Sequence, residues 1–142
     1  MTVRECLERP GIIRQAIMLK LTRIETLRKY AVPSSCGLDP VRVKVTLDPA
    51  RMQALLADAA DEEKEVTRLK EELSQAAFEA AILISKLPDV TMIRLLELRY
   101  LECLSWPETV LTLDCSPSVA YKLHRKALDF LQPAPVSRGK GK

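Results

Sequence analysis

Apolar residues recur at spacings of three and four near the start of the chain, with polar residues between them. This spacing places side chains on one face of a helix, because an α-helix turns once every 3.6 residues. Pro33 ends the pattern, since proline cannot continue a helix. The spacing therefore predicts an amphipathic helix over residues 11–31. The positions that define its apolar face are Ile13, Ile17, Leu21, Ile24 and Leu27.

A loop is expected next, over residues 32–48. This segment contains Gly37 and two turn signals with proline, one Pro–Ser and one Asp–Pro pair. Residues 41–45 alternate in polarity like a short strand, but one isolated strand has no partner with which to pair. We therefore expect loop structure throughout the segment.

A long helix is predicted after this loop. Asp48 and Pro49 are typical of a helix start, because aspartate caps the first turn and proline fits its first position. No further Gly or Pro occurs before Pro88, so one helix of about 39 residues, roughly 58 Å long, is expected. Its apolar seam has the repeat of a coiled coil and contains one polar residue, Glu62. The seam positions are Met52, Leu55, Ala59, Glu62, Val66, Leu69, Leu73, Ala76, Ala80, Leu83 and Leu87.

This seam needs a partner, because an isolated helix gains too little from its own propensity to stay folded. The helix over residues 11–31 is about 30 Å long and can pack on part of the seam as an antiparallel helical hairpin. Two partners stay open for the rest, residues 66–87. If the partner is a second copy of the chain, the protein is a homodimer through the long helix. If the partner is the set of C-terminal helices, the seam packs within one chain.

The pattern after Pro88 changes to three short helices. Asp89 is a candidate N-cap for the first of them. Ser105 and Glu108 have the spacing of a capping box, which predicts the start of the second. Ser116, followed by proline, is typical of the start of the third.

A short helix, a tight turn and a second helix with basic outer positions form the plan of a helix-turn-helix, whose second helix enters the major groove of DNA. The spacing alone fits equally well a three-helix packing unit with a solvated surface, since basic residues near a helix C-terminus also favour its dipole. We predict an all-α protein with residues 1–87 as a hairpin and coiled coil and residues 88–132 as a helix-turn-helix. Helix 117–132 is its DNA-reading helix, and residues 133–142 are expected to form a flexible basic tail. The candidate DNA contacts are Ser116, Ser118, Tyr121, Lys122, Arg125 and Lys126.

Charge is distributed unevenly along the chain. Residues 1–30 contain seven basic and three acidic residues, and residues 48–75 contain four basic and eight acidic residues. Residues 117–142 contain six basic residues and one acidic residue, Asp129. The acidic middle repels phosphate, whereas the basic C-terminal end attracts it.

The composition argues against several other classes of protein. No metal-binding cysteine spacing occurs, so we expect reduced thiols, no metal and no cofactor. No paired carboxylates, activated nucleophile or phosphate-binding loop can be assembled, so an enzyme is not expected. No signal sequence or membrane span is evident, which predicts a cytoplasmic protein with no membrane partner. The four cysteines are Cys6, Cys36, Cys103 and Cys115.

Three segments carry a resemblance to known proteins: LLELRYLE at residues 95–102, SWPE at 105–108 and YKLHRKAL at 121–128, with a serine at 116. They resemble the region-4 helix-turn-helix of bacterial sigma factors. They resemble more closely a family of small phage and prophage proteins similar to late-gene transcription regulators of the RinA and ArpU kind. The close agreement covers about a third of the chain.

The resemblance implies a promoter-binding regulator of double-stranded DNA, with base contacts at the positions of Ser118, Tyr121 and Lys122. Tyr121 replaces the arginine that reads bases in sigma factors, so the sigma promoter element is not the expected target. Val110 stands where a smaller residue is usual and is expected to crowd the two motif helices. Asp114 replaces the turn glycine and is expected to adopt a left-handed conformation.

Three functions remain open at this stage. The leading hypothesis is a sequence-specific transcriptional regulator, acting as a dimer whose coiled coil sets the separation of two half-sites. A DNA-packaging protein resembling a small terminase subunit also joins a helix-turn-helix to oligomerising helices, and ring-sized oligomers would favour it. An adaptor that binds RNA polymerase through the sigma-like domain would bind polymerase without reading DNA.

Overall fold

Five α-helices account for most of the chain in the computed structural model, which describes residues 2–31 and 48–132. No strand occurs among these residues, so the predicted all-α class is confirmed. The strand-like pattern at residues 41–45 and the predicted tail at 133–142 lie outside the described residues. The helices are α1 (Val3–Ala31), α2 (Pro49–Ile84), α3 (Val90–Leu96), α4 (Trp106–Leu113) and α5 (Pro117–Leu131), and a π-helical segment, Glu97–Leu101, directly follows α3.

Helix α1 begins eight residues before its predicted start at residue 11. Thr2 and Glu5 form a reciprocal cap, in which the Glu5 amide donates to Thr2 Oγ1 at 3.1 Å and the Thr2 amide donates to Glu5 Oε1 at 2.8 Å. Pro10 lies inside the helix, where proline costs one backbone hydrogen bond, but its ring is fully buried. The predicted start was wrong because this early cap and the buried ring outweigh the break that Pro10–Gly11 suggests.

Helix α2 begins at its predicted cap, with Asp48 Oδ1 accepting from the Ala50 amide at 3.2 Å. It ends at Ile84, three residues earlier than predicted, because a turn at Ser85–Lys86 closes it. The side chain of Ile84 is 1% exposed, whereas the predicted seam residue Leu83 is only half-buried. The seam therefore shifts by one residue in its last turn.

The described residues divide into two compact units, and residues Arg14–Glu72 make up the second. Glu62, the polar residue of the predicted seam, binds two cations of α1 here: Oε1 is 2.8 Å from Lys20 Nζ, and Oε2 is 2.9 Å from Arg23 Nε. These partners, Lys20 first, hold the pKa of Glu62 below its usual range. The carboxylate is thus a link between α1 and α2 rather than a defect in the seam. The buried apolar residues of this unit are Ile17, Ile24, Leu27, Ala31, Ala59, Val66 and Leu69.

The first unit combines the beginning of α1, the end of α2 and the three C-terminal helices. Its core includes seam residues of α2 that were expected to need either a dimer or the C-terminal helices. The intramolecular alternative accounts for them, and Val3 and Leu7 of the early α1 add to the same cluster. The homodimer stays a prediction, but these seam residues no longer argue for it, because they are buried within one chain. The core residues are Val3, Leu7, Ala80, Ile84, Leu87, Leu95, Leu96, Tyr100, Ala127, Leu128 and Leu131.

The predicted caps of the C-terminal helices are confirmed. Ser105 Oγ accepts from the Glu108 amide at 3.3 Å, and Glu108 Oε1 accepts from the Ser105 amide at 3.0 Å. This hydrogen bond from the Ser105 backbone holds the pKa of Glu108 below its usual range. Asp89 accepts from the Thr91 amide at 2.9 Å, as expected for the cap of α3.

The turn between α4 and α5 contains the left-handed residue that was expected. Asp114 has φ 57° and ψ 51° and ends α4. Val110 is half-buried, and its crowding of the two motif helices stays a prediction. Its neighbour Thr109 is the fully buried residue of α4, and it fits because its hydroxyl donates to the Ser105 carbonyl at 2.8 Å.

Replacing Asp114 with alanine should lower the free energy of unfolding by about 1 kcal/mol, because alanine tolerates a left-handed backbone poorly. Asp114→Gly should stay close to the wild type, since glycine adopts this conformation freely. Urea unfolding followed by circular dichroism measures both effects. Asp129→Ala, at an exposed position within α5, is the matched control. Equal losses for Asp114→Ala and Asp129→Ala would contradict the prediction.

Candidate nucleic-acid interface

All six residues predicted to contact DNA lie in α5 or at its start, and all are exposed. Ser118 and Arg125 each lie three or four residues from both Tyr121 and Lys122, so the helix places all four on one face. Lys126 is adjacent to this face. The opposite face is turned inward and contains Ala120, Leu123, Ala127, Leu128 and Leu131.

Ser116 has a different position from the other five. It is the N-cap of α5, and its Oγ accepts a hydrogen bond from the Val119 amide at 3.3 Å. Pro117 follows at the first helical position. Ser116 therefore starts the helix on which the other predicted residues lie.

Trp106, the first residue of α4, lies at the centre of a cluster of rings and one cation. The Arg99 guanidinium carbon is 4.5 Å from the centroid of the Trp106 ring, within the range of a cation–π contact. The ring centroid of Tyr121 is 4.7 Å away at an interplanar angle of 71°, and that of His124 is 5.1 Å away at 85°. Trp106 thus contacts the π-helical segment through the Arg99 cation–π contact and α5 through two edge-to-face ring contacts, which are favourable for aromatic pairs.

Arg99 is held from its other side as well. Its Nη1 donates a hydrogen bond to the Leu104 carbonyl, in the segment that leads into α4. Its Nε is buried and has no hydrogen-bond partner among the described residues. The guanidinium is therefore fixed over Trp106 rather than directed at solvent.

His124 packs on the inner side of this cluster. Its Nε2 is 2.7 Å from the Tyr100 hydroxyl, and the two rings stack with their centroids 5.8 Å apart. Burial, with a smaller contribution from Arg4 and Arg99, lowers the pKa of His124 to about 4. The ring is therefore neutral at pH 7. When Nδ1 carries the ring hydrogen, the Tyr100 hydroxyl donates a hydrogen bond to Nε2. His124 therefore packs between Tyr100 and Trp106 as a neutral ring.

An open cleft of about 570 Å³ adjoins the start of α5. Leu111, one of its lining residues, is 82% exposed. Tyr121 and Trp106 form part of the same wall. The lining residues are Trp106, Pro107, Val110, Leu111, Asp114, Cys115, Ser116, Pro117 and Tyr121.

The residues around Trp106 were not identified as functional from the sequence. Arg99, Trp106 and His124 appear in the segments that carry the family resemblance, but they lie in three different helical elements, so periodicity within one helix does not place them together. Only the folded chain brings them together. The one available signal was the pairing of an aromatic residue with a capping box at the start of α4.

Other kinds of site find no support in the described part of the chain. Residues 2–31 and 48–132 contain no group of three His, Cys, Asp or Glu side chains that could hold a metal ion. No helix in these ranges combines the length and apolar character needed to cross a membrane.

No family model matches the sequence, and no curated protein or solved structure is significantly similar to it. A function must therefore be argued from the geometry and chemistry of the residues themselves.

The single histidine should make the stability of the protein depend on pH in a defined window. Its folded pKa of about 4 lies below the ordinary value of 6.5, so the unfolded chain binds the proton first. The free energy of unfolding should therefore fall as the pH is lowered from about 6.5 towards 4, and this contribution should be absent in His124→Gln.

Urea unfolding at several pH values, for both proteins, measures this difference. Both proteins contain the same carboxylates, so His124→Gln serves as the control for their effect. Proton NMR of the one imidazole gives its pKa directly. An imidazole that titrates near 6.5 in the folded protein would contradict the burial of His124.

Proposed function

We propose that this protein is a sequence-specific DNA-binding regulator of transcription, of the phage or prophage type, which reads double-stranded DNA with α5. The observation that carries the proposal is the exposed row of Ser118, Tyr121, Lys122 and Arg125 on a helix whose other face is buried. This row combines hydrogen-bonding, aromatic and cationic groups, the groups that contact base edges and phosphates.

In this proposal α4, the turn at Asp114–Cys115 and α5 act as a helix-turn-helix. The turn is tight, since Asp114 ends α4 in a left-handed conformation and Ser116 caps α5. The start of the second helix of such a motif reaches the bases, and its unpaired amides favour a nearby phosphate. Ser118, Tyr121 and Lys122 all lie within the first six residues of α5.

The proposed architecture of the rest of the chain is a supporting hairpin. We propose that α1 and α2 pack antiparallel, which agrees with the ion pairs of Glu62 with Lys20 and Arg23. A homodimer that presents two recognition helices to two half-sites belongs to the same proposal. Its interface is not the last part of the α2 seam, because Ala80 and Ile84 are core residues of the first unit.

The open cleft next to α5 favours a second candidate, an adaptor that binds RNA polymerase. Leu111, 82% exposed, gives this cleft an apolar rim that a protein partner would cover. An adaptor of this kind would bind polymerase without selecting a DNA sequence. The DNA-binding experiment below distinguishes the two candidates.

Purified protein should retain one discrete locus from sheared DNA of its source genome at about 100 mM salt. A Lys122→Ala/Arg125→Ala variant should lose this retention, because it removes two cations of the exposed row. Sequencing of the retained DNA identifies the locus. Retention that is uniform or absent in the wild type would overturn the proposal and favour the polymerase adaptor, which a polymerase pull-down tests directly.

The matched control for that experiment is Arg51→Ala/Lys64→Ala. It removes one arginine and one lysine from exposed positions in the acidic part of α2 and so changes the net charge equally. We expect it to retain the same locus as the wild type. Equal losses in both double variants would show that total charge, and not the α5 row, determines binding.

Lys126 is expected to contact the phosphate backbone rather than a base. Lys126→Ala should leave the selected locus unchanged and should make the slope of log K against log salt less steep by about 0.9, the value for one phosphate contact. Titrations of a duplex from the retained locus between 50 and 200 mM salt, roughly a Debye-length change of twofold, measure the slope. A changed locus with an unchanged slope would place Lys126 among the base-reading residues instead.

A further inference from the structure

Tyr121 is the one exposed member of the Trp106 ring cluster. Its side chain is 49% exposed, whereas Tyr100, which contacts the same cluster through His124, is 8% exposed. A ring needed only for core packing would be covered like Tyr100. Tyr121 presents half of its surface to solvent at the fifth position of α5, the part of a recognition helix that meets the bases.

The side of the Tyr121 ring that faces the protein packs against Trp106. The Trp106 ring contacts it at a centroid distance of 4.7 Å, and Trp106 is itself fixed by Arg99 and His124. A side chain that is ordered before binding loses less conformational entropy when it makes a contact. Tyr121 is therefore a rigid surface, whereas its neighbours Lys122 and Arg125 are long and flexible.

We infer that Tyr121 determines specificity for a T·A base pair by packing its ring on the C5-methyl group of the thymine, with Trp106 as a positioning residue. Among the four base pairs, a methyl group in the major groove identifies thymine, and it is recognised by apolar contact. The aromatic ring offers an apolar edge of this kind, which lysine and arginine do not. The inference rests on the proposed function, since it requires that α5 enters the major groove.

The first step of the test is selection from a pool of random duplexes at about 100 mM salt. Wild type and Tyr121→Phe should select the same sequence, because both retain the ring. Tyr121→Ala should lose the preference for thymine at one position and keep the others. Trp106→Phe should weaken the same preference, an effect on one base that a general loss of stability would not produce.

The second step replaces that one thymine by deoxyuridine, which removes only the methyl group. The wild type should bind this duplex about fourfold more weakly, the ratio expected when one buried methyl-sized group is lost. Tyr121→Ala should bind the thymine and deoxyuridine duplexes equally. Melting curves from circular dichroism show whether each variant is folded. Lys64→Ala, at an exposed position in the acidic part of α2, serves as the control and should discriminate between the two duplexes as the wild type does.

Failure of this inference can be distinguished from failure of the proposed function. If the wild type and Tyr121→Ala select the same sequence with the same thymine preference, the role of Tyr121 is refuted while DNA reading by α5 stands. An equal effect of deoxyuridine on both proteins leads to the same conclusion. If the wild type selects no sequence at all, both proposals are overturned.

Discussion

The buried face of α5 is the constraint on which the rest of this structure depends. Ala120 and Ala127 are completely buried, and Leu128 joins a core that contains Leu95 and Leu96 of α3. Because a helix is rigid, fixing one face also fixes the direction of the other. The apolar packing of the buried face therefore determines the orientation of the exposed row on α5.

That packing needs support from elements far away in the sequence. Val3 and Leu7 come from the first turns of α1, and Ala80 and Ile84 come from the last turns of α2. Three short helices have little apolar surface to bury among themselves, and small cores are only marginally stable. The beginning of α1 and the end of α2 complete the core under α5, so the N-terminal region supports the helix that carries the proposed site.

Local signals in the sequence predicted much of this fold, and contacts between distant residues explain where they failed. The caps at Asp48, Ser105 and Ser116 depend on neighbouring residues, and all three are confirmed. The start of α1 was missed because the ring of Pro10 is buried against the rest of the protein, and no local sequence pattern reveals this burial. The π-helical turn and the contact of Arg99 with Trp106 likewise depend on the packed chain. The site residues followed from helical spacing, whereas the support behind Tyr121 did not.

The modest charge of α5 gives Tyr121 its importance in the proposed complex. Three cations, Lys122, Arg125 and Lys126, lie on this helix, so the side chains of α5 can supply at most three cationic phosphate contacts and a salt slope of roughly −2.7. Proteins that make six to ten such contacts bind DNA of any sequence far more strongly. Phosphate contacts carry no sequence information, so the difference between target and other DNA must come from base contacts. A rigid aromatic ring fits that requirement better than further lysines, because added cations strengthen binding to every sequence equally.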